Sequence, residues 1–367
     1  MDFWIIFLCA LALTVALTPL AIKIAYKTGA IDIPKDSRRV HQRPVPRIGG
    51  MAIFLGTTLA MILAMAMNLL GTPDTEMKIV GILVGGVFIY LLGTVDDFKN
   101  LPAVVKLFGQ IGCAVVVFAF GNRIDFITNY LGEGTAHLAW AVSLVVTIVW
   151  IVAITNTINL VDGLDGLATG IVAIASLCIA YVAYIFGYYP TCLCLLAVAG
   201  SALGFLPFNF YPAKTFMGDG GSLYLGFMIA NLSILEPVKR ATLVAVLIPV
   251  LVLALPLFDT LWAIIRRKVN GKPIMQADKG HIHHRLMRTG MGQRRTVLCL
   301  YGICGIMGVA AVLMSRELYV ECLGLLAVAA TFVLVVMTDM NDLRPRIRNS
   351  SDAGLPSKQG KNKEKTS

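Results

Sequence analysis

The chain has 367 residues, of which 57% are hydrophobic and only 14% charged, and a formal net charge of +10. A soluble globular protein carries about 25% charged residues, so this composition excludes a soluble domain and points to an integral membrane protein. The length would serve two soluble domains, but the apolar content argues for a single transmembrane catalytic domain over 1–340 and a polar, disordered cytoplasmic tail over 341–367.

A membrane span needs roughly 20 apolar residues. In chain order eleven segments meet that need, at about 2–25, 48–70, 78–95, 104–121, 137–155, 166–186, 190–207, 220–235, 240–264, 296–314 and 318–338. The first lacks a small-residue cleavage site after a short apolar core, so it reads as a retained span, not a signal peptide. The expected fold class is all-α, a polytopic bundle of about 11 transmembrane helices.

Basic residues set the expected orientation. Loop 23–47 holds seven Lys and Arg, loop 266–295 nine and the stretch from Arg344 to Lys365 seven. With Lys99, Lys106 and Lys214, 26 of the 31 basic residues fall on one side of this layout. That side is the cytoplasm by the positive-inside rule, which leaves the N-terminus outside and the C-terminus cytoplasmic. The positive charge then reflects topology and contact with anionic membrane lipid. Nucleic acid is not an expected partner, since no soluble basic domain exists to carry it. All eight cysteines lie in apolar spans and read as small buried hydrophobes. No internal repeat is visible, which weighs against a transporter built from repeated halves.

Three carboxylate motifs stand at the ends of these spans. In VDDFKN, Asp96 and Asp97 close the third span; paired carboxylates beside a membrane need a cation or a basic partner. They can hold Mg²⁺ or take a proton from an attacking group. In NTINLVDGLDGL, Asn156, Asn159, Asp162 and Asp165 recur every three residues, so on a helix neighbouring members would share a face. Their mixture of donors and acceptors suits a nucleotide or sugar, and Gly163, Gly166 and Gly170 permit close approach. The third motif runs from Phe208-Asn209-Phe210 through Phe216-Met217-Gly218-Asp219, an aromatic and glycine-rich turn entering a helix near 220. Amides at such a helix start favour anions. Asp219 there can recruit a metal that binds phosphate, or simply cap the helix, and an exposed Phe can stack on a base.

A basic loop completes the set. His281, His283 and His284 are followed by Arg285 and Arg288. Lys279 and the arginines disfavour a bound cation, so a phosphate contact fits better than zinc. In the loop RRVHQRPVPRIGG, Arg38, Arg39 and Arg43 join as candidates for holding an anion. Asp259 is the main acid inside a span.

Carboxylates, a divalent metal and cationic side chains are what phosphoryl transfer needs. Together and in order, DDFKNLPAVVK, NTINLVDGLDGLATG, FMGDGGSLYLG and HIHHRL resemble the polyprenyl-phosphate N-acetylhexosamine-1-phosphate transferase family. The resemblance runs from RPVPRIGG to HIHHRLMR and excludes the tail. HIHH resembles the WecA/TagO-type branch; the MraY branch has three adjacent histidines where Ile282 interrupts the run here.

The resemblance implies that the phosphate of undecaprenyl phosphate attacks the β-phosphate of UDP-GlcNAc. The products are undecaprenyl-diphospho-GlcNAc and UMP, formed in the cell (inner) membrane with the site facing the cytoplasm. It implies a Mg²⁺ cofactor, with Mn²⁺ as a substitute, held by Asp219. Asp96, with Asp97 beside it, would orient the lipid phosphate or act as a base. Asn156 belongs with Asn159, Asp162 and Asp165, which would meet the nucleotide-sugar. Asn209 and Phe216 would bind uracil, and His281, His283, His284 and Arg285 the diphosphate or sugar. The product would start an envelope polysaccharide such as O-antigen, common antigen or teichoic acid. Another UDP-N-acetylhexosamine or UDP-MurNAc-pentapeptide is the alternative donor, a nucleotide-sugar transporter the rival class, and a homodimer the open question of assembly.

Overall fold

The computed structural model describes residues 2–33, 44–128, 135–236, 250–269 and 282–337. The candidate residues Arg38, Arg39, Arg43 and His281, and the tail at 341–367, lie outside them.

The protein is a helix bundle. Its helices are α1 (Asp2–Thr28), α2 (Gly50–Ala66), α3 (Pro73–Lys99), α4 (Ala103–Ala119), α5 (Trp140–Val161), α6 (Leu167–Ile185), α7 (Tyr189–Asn209) and α8 (Gly218–Leu232). They continue with α9 (Ala254–Val269), α10 (Ile282–Arg288), α11 (Gln293–Ser315) and α12 (Tyr319–Met337). Among the described residues seven are long and apolar enough to cross a membrane: α1, α3, α5, α6, α7, α11 and α12. The expected spans at 48–70 and 104–121 correspond to shorter apolar helices of 17 residues each. The expected span at 220–235 is the 15-residue α8, and the one at 240–264 is described only from 250 onward.

Two small antiparallel ribbons accompany the helices. β1 (Ile31–Asp32) pairs with β2 (Val45–Pro46), and β3 (Phe126–Thr128) with β4 (Thr135–His137). Strands of two or three residues leave no alternating pattern to read in a sequence.

Helix α8 is the axis of the bundle. Every residue from Gly220 to Leu232 is buried, as expected of a helix that is apolar all round. It packs against α3 and α5 most heavily and against α2 as well. Small residues let these backbones close: a Cβ on Gly93 of α3 would collide with the backbone of Asp219 and Gly220, the small-residue packing that joins membrane helices. Elsewhere α1 lies on α7 and α2, α6 lies on α7, and α11 bridges α6 and α12.

The polar motifs converge at one end of this bundle. The C-terminal ends of α3, α5 and α7 meet the N-terminal ends of α6, α8, α10 and α11 there. The three-residue periodicity of the second motif is only partly helical. α5 ends at Val161, so Asn156 and Asn159 are on the helix while Asp162 and Asp165 lie in the turn to α6.

Candidate active site

At that end lies a cavity of about 430 Å³. Asp96, Asp97, Asn159, Asp162, Asp165, Asn209, Phe216, Asp219 and His284 all line it. Four separated stretches of sequence are thus gathered into one pocket.

Asp96 and Asp97 do not sit in a solvated loop; they are 4% and 8% exposed. Asn100 terminates α3 in the left-handed region, at φ 48°. The chain then turns back, so that Leu101 donates its N–H to Asp96 Oδ1 at 2.6 Å. Lys106, on the first turns of α4, donates to Asp96 Oδ2 at 2.6 Å and reaches Asp219 Oδ2 at 3.4 Å. One ammonium therefore stands between two acids that are 123 residues apart in the sequence. From sequence Lys106 is only one of the basic residues that set topology. Its place at the end of DDFKNLPAVVK was the signal available.

Asp97 has a different task. Its Oδ1 accepts the N–H of Asp219 at 3.0 Å and its Oδ2 the N–H of Gly220 at 3.1 Å. The first turn of a helix leaves such donors without an intrahelical partner, and α8 has no cap of its own. A side chain from α3 thus caps α8, and Asp219 is held by a cap instead of being one. Gly218 makes this possible: it adopts φ 67°, and a Cβ there would strike the Asp97 carboxylate.

Asp219 Oδ1 accepts from Asn159 Nδ2 at 2.9 Å, and the same nitrogen reaches Ser222 Oγ at 2.8 Å. Asn159 therefore fixes the metal-candidate acid. Asp165 Oδ2 accepts the N–H of Ala213 at 3.0 Å, which ties the α5–α6 turn to the aromatic turn after α7. Asn209 accepts from Thr169 Oγ1 at 2.7 Å and donates to Thr215 O at 3.0 Å, so its amide braces the pocket wall.

Asp162 differs from all of these. Among the described residues no hydrogen-bond donor serves its carboxylate. Burial, followed by the negative fields of Asp219, Asp97 and Asp165, pushes its pKa up to about 8. A carboxyl group crowded by acids and lacking a donor is one that a cation would relieve.

The structure does not bring Asn156 to the cavity. It exchanges amide hydrogen bonds with Gln110 of α4 and donates to Val152 O. His283 is buried with its ring over Gly163, and the His284 ring lies beside it, tilted by 45° at 4.3 Å between centroids, and lines the cavity. Arg285 is not among the cavity-lining residues. Asp259, buried on α9, accepts the N–H of Ile282 at 3.0 Å and so fixes the start of the histidine helix. Arg47 and Gln293 also line the cavity and were not singled out from sequence. Both carry a buried nitrogen without a partner among the described residues, Nε in Arg47 and Nε2 in Gln293.

Among the described residues no three His, Cys, Asp or Glu side chains form a metal-holding group. Magnesium commonly takes one or two carboxylates and fills its remaining positions with water and substrate phosphate. Asp219 and the donor-free Asp162 on one cavity fit that mode.

Comparison with known proteins follows the same outline. Residues 79–236 match the model for glycosyl transferase family 4. A probable undecaprenyl-phosphate N-acetylglucosaminyl 1-phosphate transferase of Bacillus subtilis (strain 168) is 40% identical over 309 residues, spanning 84% of each chain. The decaprenyl-phosphate N-acetylglucosaminephosphotransferase of Mycobacterium tuberculosis (strain ATCC 25618 / H37Rv) is 34% identical over 350 residues, 87% of this chain and 85% of the relative. A phospho-N-acetylmuramoyl-pentapeptide-transferase of Bacillus cereus (strain AH187) is 30% identical over 311 residues, 80% of this chain and 92% of the relative.

Proposed function

The chain belongs to glycosyl transferase family 4, and on that premise we propose that it transfers GlcNAc-1-phosphate from UDP-GlcNAc to undecaprenyl phosphate. A phosphate oxygen of the lipid attacks the β-phosphorus of UDP-GlcNAc. The new P–O bond forms as the bond from that phosphorus to the bridging oxygen breaks. UMP leaves with the bridging oxygen, and undecaprenyl-diphospho-GlcNAc stays in the membrane. The reaction faces the cytoplasm and starts an envelope polysaccharide.

The observation that carries this reading is the Asp96–Lys106–Asp219 arrangement, whose two acids line the cavity. Lys106 holds positive charge where two phosphate groups must approach each other, and Asp96 keeps it there. A phosphate monoester is largely ionised near neutral pH, so the attacking oxygen needs orientation more than proton removal. Mg²⁺, when bound, offsets phosphate charge and stabilises the leaving group. Asp219 and Asp162 would hold it, with Asn159 fixing Asp219 by its hydrogen bond. Phe216 is partly buried in the cavity wall and offers a stacking face for uracil, while His284 lies where the diphosphate or sugar would pass. Asp97, Asp165 and Asn209 position the walls. The 40% identity to the B. subtilis relative favours the N-acetylglucosaminyl donor over the muramoyl-pentapeptide one. Ile282 agrees with this, since it is buried where a third adjacent histidine would put an imidazole.

The test is UMP release by the purified full-length protein given undecaprenyl phosphate, Mg²⁺ and a panel of UDP-sugars. UDP-GlcNAc should be the preferred donor. Asp219→Asn should lower turnover on the order of 10²–10³-fold, the usual cost of removing a group that stabilises transition-state charge. Full activity in that variant overturns the role given to Asp219.

A further inference from the structure

We propose that Arg47 is a phosphate-binding residue of this cavity, an assignment that rests on the phosphoryl-transfer reading above. The residue follows β2 directly and lies in the stretch RPVPRIGG, where the sequence alone assigns it no role. Its backbone is held from both sides. Its N–H donates to Ala30 O at 3.1 Å. The neighbouring Pro46 O accepts from Phe216 N at 2.7 Å and from Thr215 Oγ1 at 3.0 Å. Beyond it, Gly49 N donates to Phe216 O at 2.9 Å and Gly50 N to Met217 O at 3.0 Å. The segment carrying Arg47 is thus stitched, bond by bond, to the segment that delivers Asp219. Arg47 keeps its register with the metal-candidate acid as a consequence of backbone pairing.

The side chain then enters the cavity beside Asp97, Gly218 and Asp219. Its Nε is buried and has no hydrogen-bond acceptor among the described residues. Asp97 is the natural partner by charge, but both of its oxygens already accept from the start of α8. Among the described residues, the ion pairs of the structure do not include Arg47. A buried donor on a charged group is costly when left unmet. Arg47 lines the cavity, so a ligand bound there can approach its guanidinium. A guanidinium matches phosphate oxygens through two parallel N–H bonds, which an ammonium cannot reproduce. The acceptor chemistry is therefore a phosphate group. The lipid monophosphate and the nucleotide diphosphate both offer it, and kinetics separates them.

Initial rates of UMP release are measured on the full-length protein in detergent, varying UDP-GlcNAc and undecaprenyl phosphate in turn. Arg47→Gln should raise the KM of one substrate on the order of 10- to 100-fold, the range for losing a charge-assisted hydrogen bond. The other KM should move by less than about twofold, a margin set by ordinary context effects. The substrate whose KM rises is the one whose phosphate Arg47 holds. Arg47→Lys keeps the charge but not the fork, and should raise the same KM by at least about threefold. If the Gln variant aggregates, the Lys variant decides alone. Unchanged KM values overturn the assignment. So does an equal rise in both, or a fall in kcat with both KM values intact, because either reports a displaced backbone. A wild-type protein that releases no UMP fails the phosphoryl-transfer reading itself, an outcome distinct from all of these.

Discussion

The acids of the cavity differ in what already occupies their oxygens. Asp97 and Asp165 each accept backbone N–H groups from another segment, as does Asp259 outside the cavity. Asp96 is bound to Lys106 and Leu101. Asp162 has no hydrogen-bond donor among the described residues, and its folded pKa of about 8 lies far above the ordinary 3.8. A carboxyl raised in this way holds its proton more tightly folded than unfolded. Its contribution is complete below the ordinary value, fades as pH rises, and is gone above about 8. The cation-free protein should therefore lose thermal stability as pH rises from about 4 to about 8, on the order of 2–4 °C in midpoint per kcal/mol lost. Asp162→Asn should flatten that slope, and a divalent cation should restore the midpoint at the alkaline end. Melting curves across pH with and without Mg²⁺ measure both; an unchanged slope in the Asn variant would refute the role of Asp162.

At the scale of elements, the start of α8 depends on α3. Removing the Asp97 charge leaves two buried N–H groups poorly served, a loss of about 1–3 kcal/mol. Asp97→Asn should thus lower the midpoint in heated size-exclusion runs and lower activity in step. Asp219→Asn should lower activity at a nearly unchanged midpoint. Equal thermal behaviour of the two variants would show Asp97 to be a reacting group and not a brace. This division was not legible in the sequence. Local pattern placed Asp96, Asp97 and Asp219 at helix ends, because apolar runs stop where carboxylates begin. It did not say that Asp97 meets α8 backbone 122 residues later. The same limit explains Asn156: periodicity put it near Asn159, but only the packing of α4 on α5 makes Gln110 its partner.

At the scale of the whole molecule, we propose that the cavity opens to the cytoplasm, the side that the Lys- and Arg-rich stretches 23–47 and 266–295 are expected to face. A reporter active only in the cytoplasm, fused at the C-terminus, should therefore be active. The same reporter placed between β3 and β4 should be silent, and a periplasmic or extracellular reporter should give the reverse. A matching signal from both positions would reverse the proposed orientation. Helix number was less legible than helix position. α8 has only 15 residues, about 22 Å of rise at 1.5 Å per residue, and relies on its neighbours for burial.

The bond from Ile282 N–H to Asp259 joins two surfaces that the sequence keeps apart. α9 exposes Leu261, Trp262 and Ile265, while its buried Asp259 holds the first residue of α10, two positions before His284 in the cavity. The exposed apolar side of α9 and the histidine of the candidate site are thereby linked through a single hydrogen bond.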